Sequence, residues 1–277
     1  MYSSCTLYAV RCKLSVVIPR LHLFEVEDSP LLPSFIRDMM TEYLHWVMDF
    51  TGPYDPAAPR IAALLRATGT TQVVDLASGG AGPWPRLLPQ VAAALGTSPQ
   101  VTLTDLHPNV AAFTRAERSS NGAIRGHLTP VNATAVPSSL PGVRTMFTGL
   151  HHLSPDQVCA LMRDAAGQRQ PLVAFELTRR SVPGVLLMLA SLLLVLVSAP
   201  FIQPFRLERL VLTWLIPVLP LCIVWDGVVS ALRTYTMGEL RAFAAEVARD
   251  GYLWEVGEAQ SASTPILVTF IVGRPSY

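Results

Sequence analysis

The sequence predicts an α/β protein built on a doubly wound, mostly parallel sheet, with a hydrophobic helical hairpin inserted late in the chain. Three observations predict it. From residue 71 onward, short β-branched runs alternate with segments of helical periodicity. The first of those runs ends in a glycine-rich turn, "ASGGAG". The uncharged stretch "SVPGVLLMLASLLLVLVSAPFIQPF", residues 181–205, then interrupts the alternation before it resumes.

The elements follow in order. "SFIRDMMTEYLHWVMDF", 34–50, has apolar groups at helical spacing and Ser34 as its expected N-cap. "PAAPRIAALLRATG" is a second helix ending at Gly69. "TQVVDL", "QVTLTDL", "RTMFTGL" and "PLVAFELT" read as strands, with helices "PRLLPQVAAALG", "PNVAAFTRAERSS" and "SPDQVCALMRDAAG" between them. "TMGELRAFAAEVARDG" is a helix starting near Thr236, and "YLWEVGEA" and "PILVTFIVG" form a closing antiparallel hairpin around "QSASTP".

Composition narrows the setting. Only 15% of the 277 residues are charged and mean hydropathy is +0.38, so part of the chain belongs in lipid or a very apolar interface. The net charge of +1 gives no reason to expect a nucleic-acid partner. Cys5, Cys12, Cys159 and Cys222 are scattered, with no CxxC and no Cys/His ligand spacing. Neither a zinc site nor a disulfide framework is expected, and reduced thiols suit a domain facing the cytoplasm. Arg11, Lys13 and Arg20 precede the first acid, Glu25, but no apolar targeting core follows them. A leader or an extra strand is expected there.

The glycine turn suggests a nucleotide-like ligand. Asp75 ends the first strand, and the turn exposes backbone N–H groups at a helix start. Asp105 ends the second strand, where a carboxylate accepts bonds from ribose hydroxyls. The dinucleotide fingerprint is incomplete: Gly80 and Gly82 fit its first two glycines, but Pro85 or Arg86 stands at the third. A plain strand-to-helix turn is the bland alternative.

"VVDLASGGAGPW" resembles the first motif of class I S-adenosylmethionine-dependent methyltransferases, with Ala77 and Ala81 in place of two glycines. "LTDLHPN" resembles the second motif, and "VNATAVP" the adenine-contact segment, with Asn132-Ala133 where Asp-Ala is common. The resemblance runs from about Thr71 to Gly273. It implies a Rossmann-like, seven-stranded sheet and S-adenosyl-L-methionine as cofactor. Carried over by position, the cofactor residues are Asp75, Ala77, Ser78, Gly79, Gly80, Asp105, Leu106, Asn132 and Ala133. The helix at 34–50 resembles the lid that many of these enzymes fold over the cofactor.

"GLHHLSPD" resembles the histidine segment of small-molecule O-methyltransferases, which makes His151 the candidate general base and puts His152 beside the substrate. The bland reading is that the pair only shapes the loop. Glu176, at the end of the fifth strand, is expected to pair with Arg179 or Arg180. Trp84 and Tyr54 are either faces for the sulfonium or core residues.

The uncharged run of about 25 residues exceeds the roughly 20 that span a bilayer core, and "LVLTWLIPVLPLCIVW" forms a second run that Pro217 and Pro220 would kink. Both ends return to one sheet, so the runs should form a hairpin. Three readings stand: a hairpin that spans or dips into a membrane, a soluble arm for dimerisation or substrate enclosure, and an internal helix pair. The chain divides into a leader and lid, 1–70, a methyltransferase domain, 71–180 and 227–277, and the hairpin, 181–226. Asp226, Arg233 and Tyr235 follow the hairpin as candidate substrate contacts. The expected function is methylation, O-methylation among the options, of a lipophilic small molecule at a membrane, with membrane lipid and a second copy as partners. The alternatives are a non-catalytic membrane scaffold of the same fold and an NAD-linked oxidoreductase.

Overall fold

A computed structural model describes residues 18–276. The expectations attached to Cys5, Cys12, Arg11 and Lys13 lie outside the described residues, as does most of the N-terminal leader.

Among the described residues one sheet of seven strands forms, in the order β3-β2-β1-β4-β5-β7-β6. The strands are β1 Gln72–Asp75, β2 Gln100–Leu103, β3 Ile124–Gly126, β4 Val143–Phe147, β5 Leu172–Glu176, β6 Tyr252–Gln260 and β7 Leu267–Pro275. β1 to β5 run parallel, while β7 is antiparallel to both neighbours. All five residues of β4 and of β5 are buried, as expected where helices cover both faces. The edge strand β3 escaped the sequence reading: three residues, "IRG", carry no alternation, and Gly126 lies against the Phe113 ring.

The helices are α1 Ser34–Thr51, α2 Ala57–Thr68, α3 Trp84–Leu95, α4 Val110–Ser119, α5 Pro155–Gly167, α6 Val182–Ser198, α7 Leu207–Leu210, α8 Val218–Arg233 and α9 Met237–Glu246. Their ends follow local chemistry. Ser154 and Thr236 each close a capping box, Asn109 caps α4, and Gly69 stops α2 in a left-handed turn. Ser34 is not the cap of α1: Pro33 holds that position without a side-chain bond, and Ser34 is the first helical residue. Ile61, Leu65, Trp84 and Leu87 fill one face of the sheet, and Val158, Leu161, Met162 and Leu240 the other. Trp84 and Tyr54 are therefore core residues, with Tyr54 edge-on to Phe147 and bonded through its hydroxyl to Thr148.

Between β5 and α9 the chain runs out along α6, through α7 and a π-helical turn, Val211–Leu215, and back along α8. α6 packs on α8, with Gly227 against Met188. The hairpin also packs on α1, burying Val195, Ile202, Leu219 and Ile223 against Ile36, Met39, Met40 and Tyr43.

The expectation of a membrane-spanning helix is not met. Among the described residues no single helix is long and apolar enough to cross a membrane. α6 stops at Ser198 because Pro200 and Pro204 break up the rest of the uncharged run. The returning arm bends by 76° between Leu215 and Val218. Pro217 sits at that break, whereas Pro220 lies in the first turn of α8, where no backbone donor is needed. α8 continues uninterrupted across residue 226 to Arg233, so the hairpin and the sheet domain share a helix. Of the arginines in the connecting turn, Arg209 is buried and Arg206 is half-exposed. Both pair with Glu42 of α1.

Candidate active site

Strand order reverses beside β1, with β2 and β4 on either side, and ligands of such sheets bind at the carboxyl ends there. Two groups of predicted residues meet that rim.

The first is the turn after β1. Ala77, Gly79, Ala81 and Gly82 all have positive φ, between 50° and 85°. Ala77 and Ala81 thus keep the backbone that glycine adopts without strain, and the turn holds its shape despite the substitutions. Open space lies beside Gly79 and Gly82, while a Cβ on Gly80 would strike His45 of α1 at 2.8 Å. The helix α1 thus lies against the turn at Gly80. Asp105 ties it down: Gly79 N–H donates to Oδ2 at 2.9 Å and His107 N–H to Oδ1 at 2.8 Å. Leu106 is exposed next to it. Asp75 points into the sheet, where Thr145 Oγ1 donates to it at 2.6 Å, and burial pushes its carboxyl up to about 6. Ser78 bonds back to the Asp75 carbonyl. Asn132 Oδ1 accepts from Thr134 N–H and Oγ1, each at 2.9 Å, so this oxygen is already committed to a local turn; Ala133 packs beneath it.

The second group is built around the 3₁₀ turn Leu150–His152 that follows β4. Glu176, at the end of β5, accepts from Leu150 N–H at 2.7 Å and bonds His151 Nδ1 at 2.8 Å. The expected arginine pairing of Glu176 does not occur: Arg179 pairs with Glu258 and Arg180 with Glu239. A carboxylate on Nδ1 keeps the ring proton there and leaves the Nε2 lone pair for other chemistry. That nitrogen faces Glu25 Oε1, 3.8 Å away, and His152 Nε2 lies 3.6 Å from Glu25 Oε2.

Glu25 belongs to a strap, residues 20–28, that sequence reasoning did not connect to the site. Arg20 donates to the carbonyls of His151, Leu153 and Arg233, and its guanidinium lies over the Tyr235 ring. The three predicted substrate contacts face this strap. Asp226 accepts from Val26 and Glu27 N–H at 2.6 and 2.9 Å. Arg233 pairs with Glu25 at 3.0 Å and Asp28 at 3.5 Å. Tyr235 donates to the Leu153 carbonyl at 2.7 Å.

The strap makes the rim acidic. Burial raises the Glu27 carboxyl, and neighbouring Asp226, Glu25 and Asp28 add repulsion against a bond from Thr41. Asp28 is lowered by His152, 3.6 Å away, against the burial that opposes it. Burial disfavours charged His152, yet Asp28, Glu25 and Glu176 outweigh it and hold the imidazole above its ordinary value. Two cavities, of about 570 and 640 Å³, lie away from these residues, one between α9 and β6 and the other between α1 and the hairpin turn.

No protein-family model matches the chain, and no curated protein is similar to it in sequence. Solved structures are similar at low identity. The plantazolicin methyltransferase BpumL in complex with SAH is 10% identical, over 88% of this chain and 98% of that one, with a TM-score of 0.47. The mitomycin 7-O-methyltransferase MmcR is 16% identical over 87% of this chain, with a TM-score of 0.46. An O-methyltransferase from neocarzinostatin biosynthesis, in complex with S-adenosylmethionine and 2-hydroxy-5-methyl naphthoic acid, is 16% identical over 88% of this chain, also at 0.46. This chain spans 56% and 57% of the lengths of the last two. By its own strand order, its antiparallel β7 and the glycine turn between β1 and α3, the chain has the Rossmann-like fold of the class I methyltransferases.

Proposed function

We propose that the chain is an S-adenosylmethionine-dependent methyltransferase that acts on a lipophilic small molecule at a membrane surface, with its sheet domain facing the cytoplasm. The observation that carries this reading is the position of His151. It is a buried imidazole aligned by Glu176, on the same rim as the glycine turn and Asp105.

The residues fit the cofactor. The turn that runs through Ala77, Ser78, Gly79 and Gly80 has open space beside Gly79 and Gly82, Asp105 offers a carboxylate just past β2, and Leu106, Asn132 and Ala133 lie in the neighbouring loops. S-adenosylmethionine supplies, when bound, a methyl group already activated by its sulfonium. The protein's part is then alignment and proton removal. His151 Nε2 receives the acceptor's proton, and Glu176 steadies the imidazolium that results. His152, Asp226, Arg233 and Tyr235 shape the acceptor side together with the strap.

The membrane part rests on the hairpin. Leu186, Leu193, Val197, Phe201, Leu215 and Leu221 are exposed on it. Solvated apolar surface on this scale marks a docking surface. The hairpin joins the rim through α8, so a lipophilic acceptor has an apolar approach to Arg233 and Tyr235.

Calorimetric titration of the purified protein with S-adenosylmethionine, S-adenosylhomocysteine and NAD(H) tests the class. Micromolar binding of the first two, at least tenfold weaker in Asp105→Ala, is expected. Binding of NAD(H) alone would return the glycine turn to an oxidoreductase, and binding of none would favour a scaffold.

A further inference from the structure

Glu25, His151 and His152 come from the strap and the turn after β4, and their ligand-capable atoms all lie within 4.8 Å of one another. Three features of this trio point beyond hydrogen bonding. First, Glu25 stands 3.8 Å from His151 Nε2 and 3.6 Å from His152 Nε2. Those gaps are longer than the 2.7–3.2 Å of an N–H···O bond. They are closer to the edge, about 3.3 Å, of a tetrahedron of ligands about 2.0–2.1 Å from a central ion.

Second, the orientation of His151 is imposed by a carboxylate. Glu176 on Nδ1 turns the Nε2 lone pair toward Glu25. Metal-bound histidines are held in this way by a carboxylate on the other ring nitrogen. Glu25 is itself steadied: Arg233 and Ser230 Oγ both engage Oε1 at 3.0 Å, and Oε2 is the oxygen that faces His152.

Third, the charge is unbalanced. Glu25, Asp28 and Glu176 face the two imidazoles, and Arg233 is the cation set against Glu25 and Asp28. The guanidinium of Arg20 is taken up by backbone carbonyls. Three carboxylates around two imidazoles leave room for a further positive charge.

We propose that Glu25, His151 and His152 bind a divalent first-row transition-metal ion, with Glu176 positioning His151. Two imidazoles and one carboxylate form the donor set that zinc takes in catalytic sites, where a further ligand position stays open. Glu25 lies more than a hundred residues before the histidines, which is why ligand spacing along the chain gave no sign of the site. One consequence rests on the methyl-transfer reading. An ion bound there would occupy the His151 lone pair, so His151 would not then serve as the base. The metal-free protein relies on His151 as the base.

The test is a titration of the chelator-stripped full chain with cobalt(II), followed by its visible absorption and by displacement with zinc. One equivalent bound at micromolar affinity is expected, weakened at least tenfold in both Glu25→Ala and His152→Ala. Glu176→Gln should weaken it ten- to a hundredfold. No stoichiometric cobalt in the wild type, or unchanged affinity in the Glu25 and His152 variants, overturns the site. Circular dichroism and thermal melts of the same variants report whether each has folded. Absence of S-adenosylmethionine binding in the wild type, with cobalt retained, sinks the methyltransferase reading and leaves the metal site standing.

Discussion

Asp75 closes β1 with a carboxyl buried in the sheet and held by Thr145. Its folded value of about 6 lies above the ordinary carboxylate value, so the folded state binds the proton more tightly than the unfolded chain does. Stability is then greatest below the unfolded pKa, falls as pH rises through the window up to about 6, and stays at the lower level above it. Asp75→Asn removes the buried charge and keeps an acceptor for Thr145. It should raise the unfolding free energy at pH 8 by about 2–3 kcal/mol, with the gain shrinking toward pH 4. Denaturant melts across that range check it, and a gain independent of pH would mean that the charge is not what burial penalises. At His151 the expected outcome concerns rate. His151→Ala should lower turnover on the acceptor by about 10²–10⁴ while S-adenosylmethionine binding is kept. A loss of only a few-fold would remove His151 from the proton transfer.

Among the elements, the β6–β7 pair shows how the sheet's antiparallel end is specified. Trp254 stands opposite Gly273 and Gly257 opposite Phe270, so in each pair a ring lies over a glycine. A Cβ on Gly273 would sit 2.3 Å from the Trp254 ring. Gly273→Ala should destabilise the protein by about 1–3 kcal/mol through overpacking, and Trp254→Leu in the same chain should recover part of it. Comparison of melting temperatures for the single and double variants decides this. The hairpin joins its surroundings differently, through the apolar face shared with α1 and the Glu42 pairs to Arg206 and Arg209. Its inner side is thus a protein interface, and its outer side carries the unburied leucines.

For the whole molecule, that outer side makes the protein lopsided: a sheet domain with an ordinary core, and one projecting edge where apolar groups meet solvent. Replacing exposed Leu193 and Leu215 with glutamate should abolish flotation with lipid vesicles while leaving the melting temperature within about 1 °C, since neither side chain belongs to the core. Unchanged flotation would assign the edge to another partner, such as a second copy. The strap acts at the same scale. Residues 20–28 join the rim to α1 and α8, tying Asp226, Arg233 and the two histidines into one acidic unit.

Most of the α/β alternation, the glycine turn, Asp105 and the double histidine were legible in the sequence, because each depends on local chemistry. Periodicity sets the face of a helix, and a glycine turn marks a strand-to-helix passage. The same locality explains the misses. β3 is too short to show a period. Pro200 and Pro204 end a helix inside a run that hydropathy alone reads as continuous. Glu176 was assigned to the arginines next to it in sequence, but the parallel pairing of β4 with β5 delivers it to His151. Asp226, Arg233 and Tyr235 were expected to contact substrate, and what they meet in the structure is the strap. The sequence by itself determined most of the elements and the glycine turn at the carboxyl end of β1. Only the tertiary structure decided the partners there, because contacts between residues a hundred or more positions apart follow from how the sheet and helices pack.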